Sequence, residues 1–242
     1  MPSPFPATSW GLIARAAEPL TPDGHAALAA LCERYWDPVY AFIRRSGAGA
    51  EDARDLTQGF FTTRWIDKND LRAANRENGR FRNFLLMCVK RYLANQRDHA
   101  RTEKNGGGRP LESFDATLAE SRYADETSHG RTPERLYERR FALALLEDAL
   151  TELGAQYTRA GPEQARRFHA LRSRLDGSAG SRPHHEVAAE LDLTVDAVKA
   201  VTSRMYDQYE AQLRAAVART LDPEGSIDDE LRWILAALGD DP

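Results

Sequence analysis

Seven cations crowd one stretch of this chain. Within Gly79–Lys104, GRFRNFLLMCVKRYLANQRDHARTEK, the residues Arg80, Arg82, Lys90, Arg91, Arg97, Arg101 and Lys104 stand against only Asp98 and Glu103, a local charge of +5 in a protein whose net charge is −4. Read at helical pitch, Phe81, Phe84, Leu85, Cys88 and Tyr92 share one face. Lys90, Arg97 and Arg101, spaced seven and eleven residues along, lie nearly opposite that face. The chemistry offered is non-covalent: cations spaced to neutralise a polyanion, carried on a helix whose aromatic side is buried. The plainer alternative is a solvated helix face, which is what most charge runs are.

A second candidate lies at residues 184–209, HHEVAAELDLTVDAVKAVTSRMYDQY, which has the pattern of a helix-turn-helix. Val187, Ala188 and Leu191 pack the first helix, Leu193 plugs the turn, and Val198 and Val201 pack the second helix against the first. Thr194 is placed to cap the second helix, with Asp196 near its positive end. Asp192 holds the turn position commonly given to Gly, where a left-handed backbone is needed. On the second helix Lys199, Arg204 and Arg214 are offset by Asp196, Asp207 and Glu210, so duplex binding here is expected to be weak alone.

No catalytic constellation is found. The chain has no Gly-rich phosphate loop with Lys, no His-Glu-x-x-His and no paired-Cys spacing, and neither a metal nor a cofactor is expected. His184-His185-Glu186 occupies adjacent helical positions that point different ways, a poor ligand set. Cys32 and Cys88 lie in separate apolar helical patterns and read as buried thiols of a reducing, cytoplasmic compartment. No apolar run reaches the roughly 20 residues of a membrane span, and residues 1–20 lack the basic start and apolar block of a secretory signal.

The elements that must position these groups are helical. The 242 residues are rich in Ala, Leu, Arg and Glu and poor in β-branched runs, which predicts an all-α protein of two small domains joined by a flexible acidic linker. Residues 1–22 form an N-terminal segment. In residues 23–104, Leu28, Leu31, Cys32, Tyr35, Val39, Phe42 and Ile43 make one amphipathic helix, with a break or kink expected at Asp37-Pro38. A second begins at Ala50 with Glu51, Asp52 and Asp55 in its first turns, and residues 66–79 form a polar loop before the basic helix. Residues 105–133 read as the linker, turning acidic around Glu112–Glu126 and carrying two aromatics, Phe114 and Tyr123, by which it could dock. Residues 134–216 form the domain with the helix-turn-helix, and residues 217–242 a C-terminal extension with a short helix over Ile227–Leu238.

Taken together, the chain resembles bacterial RNA polymerase sigma factors of the sigma-70 family, in the extracytoplasmic-function group. The residues that carry the resemblance are Tyr35-Trp36-Asp37-Pro38-Val39-Tyr40, then Glu51 through Gln58 with Phe60-Phe61, then Gly79 through Leu85, and the helix-turn-helix; it covers most of residues 25–215 in order. The chain departs from the family's usual pattern at Met205-Tyr206-Asp207-Gln208, where more Arg and Lys are usual, and at Phe84, where Trp is common.

The resemblance implies a non-enzymatic factor whose partners are core RNA polymerase and promoter DNA. It implies that Asp52, Asp55, Leu56, Gln58 and Phe61 meet the polymerase, with at least one of Phe60, Phe61 and Trp65 facing that partner. The loop 66–79 would hold a flipped base, and Arg80, Arg82, Lys90, Arg91, Arg97 and Arg101 would contact the opened promoter. Thr194, Lys199, Ser203 and Arg204 would lie nearest the DNA in the second domain. An anti-sigma protein, or a regulatory kinase acting on Thr57, Thr62 or Thr63, is a further expected partner.

Overall fold

In the computed structural model, residues 10–74, 80–102, 119–123, 130–177, 181–221 and 224–239 are described; among them every regular element is helical. In chain order they are α1 (Trp10–Ala16), α2 (Pro22–Arg45), α3 (Ala50–Phe60), a π-helical segment (Phe61–Asp67), a 3-10 turn (Asp70–Ala73), α4 (Phe81–Thr102), α5 (Pro133–Ala160), α6 (Pro162–Leu175), α7 (His184–Leu191), α8 (Val195–Thr220) and α9 (Ile227–Leu238). Among the described residues no helix is long and apolar enough to cross a membrane.

The chain divides into two compact units. One is built around Leu145–Arg219; the other joins Thr8–Ala144 to Thr220–Pro242. The observed boundary falls inside α5, eleven residues after the expected one at residue 134, and Thr220–Pro242 groups with Thr8–Ala144.

In the first unit, residues expected to form only an N-terminal segment make α1, whose Leu12, Ile13 and Ala16 are buried against α2. The chain then turns tightly into α2. Thr21 caps that helix, its hydroxyl accepting from the Gly24 amide at 3.0 Å, and Pro22 fills the first turn where no amide partner is needed. Gly24 is required there, because a Cβ would stand 1.9 Å from the Glu18 carbonyl oxygen.

α2 does not break at Pro38. It runs unbroken from Pro22 to Arg45, because Tyr35, Trp36, Val39, Tyr40, Ala41, Phe42 and Ile43 are all buried on either side of the proline. Burial of that many large side chains outweighs the roughly 3 kcal/mol a proline costs a helix interior.

Aromatic rings link the layers of this core. Phe61 packs edge-on to Trp65 at 4.8 Å, Phe81 meets Tyr35 at 5.2 Å, Tyr35 stacks on Phe141 of α5 at 5.2 Å, and Phe141 meets Trp233 of α9 at 6.3 Å. Cys32 and Cys88 are free and buried in it, and desolvation raises their thiols to about 12 and about 11.

Part of the stretch expected as a flexible linker is held in place. Residues 119–123 are helical, with Ala119 and Tyr123 buried, and Glu120 pairs with Arg44 of α2 at 2.9 Å. The Arg44 guanidinium also lies over the Tyr123 ring at 4.8 Å, while Arg45 donates to the Arg131 carbonyl at 2.6 Å. Residues 103–118 and 124–129 lie outside the described residues.

The hydrogen bond from Arg44, helped by one from Tyr40, holds the Glu120 carboxyl below its usual value. A depressed carboxylate contributes stability that is present above the unfolded value and lost as pH falls through the folded one. Replacing Glu120 with Gln is therefore expected to lower stability modestly in the neutral region and leave it little changed well below about pH 4.5, so that the acid limb flattens, as followed by urea unfolding across pH.

The second unit packs Leu150 and Leu153 of α5, Phe168, Leu171 and Leu175 of α6, Val187 and Ala188 of α7, and Val198, Val201 and Met205 of α8 into one core. Gly161, at φ +125, separates α5 from α6 in a conformation that only glycine adopts without strain, and Pro162 starts α6.

Candidate nucleic-acid interface

α4 buries Phe81, Leu85, Cys88, Val89 and Tyr92, and Phe84 is half-buried. The helix starts where the Arg80 carbonyl accepts from the Asn83 amide at 3.0 Å. Its exposed face carries Asn83, Met87, Lys90, Arg91, Asn95, Arg97 and Asp98. Among the described residues neither Arg91 nor Arg97 forms an ion pair, whereas Lys90 reaches Glu134 at the start of α5 at 2.8 Å. Both partners of that bridge are about half exposed, so it is worth at most about 1 kcal/mol and yields readily to another anion. The side chain of Arg101, Lys104, and residues 75–79 of the expected base-holding loop lie outside the described residues.

Arg80 and Arg82 are placed differently from the rest of the stripe. Their helical phase turns Arg82 inward, where it is 6% exposed, donates to Glu230 of α9 and lies over the Trp233 ring at 3.7 Å. Arg80 reaches the same carboxylate at 3.1 Å, and Glu230 is itself only 2% exposed. Burial, with Arg80 alongside, pushes the Arg82 guanidinium down to about 10, so it stays charged at neutral pH. In this conformation Arg82 does not present its charge to DNA. The signal that could have found its partner is Glu230 itself: it shares a helical face with Ile234 and Ala237, and a carboxylate on an apolar stripe requires a cation.

On α3, Asp52 and Asp55 are exposed and Leu56 and Gln58 half-buried. Phe61 is not available to a partner: it is fully enclosed, as are Phe60 and Trp65, so none of the three faces outward. The cause is the π-helical segment, marked by the bond from the Lys68 amide to the Thr63 carbonyl at 3.1 Å, whose wider turn brings adjacent Phe60 and Phe61 and then Trp65 to the core together. Thr57 is fully buried and donates to the Ala53 carbonyl at 2.7 Å, which closes it to a kinase in the folded protein; Thr62 and Thr63 are half-buried. Arg64 and Asp70 pair at 2.6 Å across this segment, and Asn69, at φ 51, donates to the Ala17 carbonyl at 2.8 Å.

In the second unit, α7 and α8 are joined by Asp192, Leu193 and Thr194. Asp192 takes the left-handed conformation at φ 54, and the Leu193 amide donates to the Ala188 carbonyl at 3.0 Å. Thr194 caps α8, accepting from the Ala197 amide at 3.1 Å. Thr194, Lys199, Ser203 and Arg204 are all exposed. Lys199 is paired with Asp196 at 3.2 Å, and Arg204 donates to its own helix at Ala200 and edges a cavity of about 290 Å³ shared with Tyr157 and Arg167. Met205 is in the core and contributes nothing to the exposed face. Because Asp192 tolerates its backbone at a cost, Asp192→Gly is expected to stabilise by up to about 1 kcal/mol and Asp192→Val to destabilise by about 1–2 kcal/mol in urea unfolding.

No protein-family model matches the chain, and no curated protein or solved structure is significantly similar to it.

Proposed function

We propose that this protein is a sigma factor of the sigma-70 family, extracytoplasmic-function type, which binds core RNA polymerase and directs promoter recognition and opening in the cytoplasm. The observation that carries the reading is the pairing of surfaces on one unit. α4 is fixed by an aromatic core and turns Lys90, Arg91 and Arg97 outward, while α3 turns Asp52 and Asp55 outward. The cations suit the backbone of an opened strand; the acids, with Leu56 and Gln58, suit the polymerase. The second unit acts as the helix-turn-helix domain, with Thr194, Lys199, Ser203 and Arg204 against the duplex. In this role the chain performs no covalent chemistry.

One observation favours a second reading, a polymerase- or DNA-binding regulator that keeps the fold without initiating transcription: Arg80 and Arg82 are engaged internally and Lys199 is paired. Run-off transcription with added core polymerase separates the two. The first reading expects a promoter-dependent transcript; core binding without any transcript would select the second. Replacing Lys90, Arg91 and Arg97 together with Ala is expected to reduce promoter opening about tenfold or more while core binding changes little. The salt dependence should flatten by about two, three contacts at roughly 0.7 each. Equal loss of both activities would count against the assignment of α4.

A further inference from the structure

We propose that α9 is an intramolecular competitor for nucleic acid: Glu230 sits between Arg80 and Arg82 in the place of a backbone phosphate, and the helix leaves before these arginines engage DNA. This rests on the nucleic-acid role assigned to α4. A helix that only completed a core would bury apolar groups, as α9 does with Ile234 and Ala237. It buries a carboxylate as well, and the cations that hold it open the most basic stretch of the chain.

The charges are complementary beyond that contact. Residues 222–242 carry Asp222, Glu224, Asp228, Asp229, Glu230, Asp240 and Asp241 against Arg232, a net charge of −6, while residues 79–104 carry +5. The Arg82 guanidinium lies over the Trp233 ring at 3.7 Å, as it would over a stacked base, and that ring also meets Phe141 edge-on at 6.3 Å. The seat is small. Of the twelve residues of α9 only Glu230, Ile234 and Ala237 are buried, Leu235 is 70% exposed, and the C-terminal end is held by Arg139 donating to the Leu238 carbonyl. A narrow seat anchored by a carboxylate between two guanidinium groups is one that a polyanion, offering phosphates to the same cations, can take over.

The test uses the full chain and a fluorescein-labelled, mixed-sequence 30-nucleotide single strand. Ile234→Asn undocks α9 without altering net charge; it is compared with the unchanged protein, each with and without Arg80→Ala/Arg82→Ala. The expected result is binding about a hundredfold or more tighter for Ile234→Asn, with a salt slope steeper by about 1.4 for two added phosphate contacts, and loss of that gain when both arginines are Ala. In the unchanged protein, amide hydrogen exchange over Ile227–Leu238 is expected to quicken when the strand is saturating; this readout decides the matter if Ile234→Asn does not fold. Binding with unchanged protection of α9 would overturn the competitor and leave the nucleic-acid role of α4 standing. No binding by any variant in about 50 mM salt would overturn that role and the competitor with it.

Discussion

Replacing Glu230 with Ala is expected to cost about 3–5 kcal/mol, because it leaves the Arg82 guanidinium in a nearly dry pocket without its carboxylate, with the part-exposed Arg80 alongside. Glu230 is 2% exposed and Arg82 6%, so water cannot substitute for the lost carboxylate while α9 stays docked. Arg82 would still lie on Trp233, but stacking returns only about 0.5–2 kcal/mol. Arg82 can regain water only by releasing α9, so the cost is capped by the free energy with which that helix docks. Urea unfolding should show the loss, together with a melting temperature lower by roughly 6–20 °C for a chain of this size. The double replacement Glu230→Ala/Arg82→Met should be much milder, since removing both ends of a buried pair leaves less unpaired charge. A Glu230→Ala protein as stable as the original within about 0.5 kcal/mol would mean that the carboxylate is not the anchor.

Phe61→Ala is the second large effect, expected at about 3–5 kcal/mol. The ring is fully buried, packs edge-on to Trp65 at 4.8 Å and to Phe60 at 5.1 Å, and stacks on Trp36 at 5.9 Å. Its removal opens a cavity in the middle of that aromatic row. Phe61→Leu should recover most of the loss by restoring volume. The same pair separates a core role from a partner-facing one. If Phe61 contacted a partner, Phe61→Ala would weaken binding to the proposed polymerase partner with little change in the unfolding midpoint; the packing predicts the reverse.

Much of the architecture was legible from periodicity. The helices over α2, α4, α7, α8 and α9 follow apolar spacings of three and four, and the cap at Thr194 and the left-handed Asp192 follow from the chemistry of those residues at a turn. Local rules reach this far because capping and turn geometry involve groups within a few residues of each other. They allowed a break at Pro38, but the helix continues because burial on both sides outweighs the local penalty. They also gave no helix to Trp10–Ala16, because α1 is only seven residues long and is stabilised by its seat on α2 rather than by propensity.

For the candidate site, the sequence by itself determined which residues carry charge and which helix bears them: the cations on α4 and the acids of α3 were identified by type and spacing. Only the tertiary structure decided which of them are available. Arg91 and Arg97 point outward, Arg82 is enclosed by a carboxylate about 150 positions away, and Phe61 is turned inward by a widened helical turn. The physical reason is range. A helical face can be computed from neighbours, but whether a cation on it meets water or a buried anion depends on a segment distant in sequence, brought close only when the core has formed.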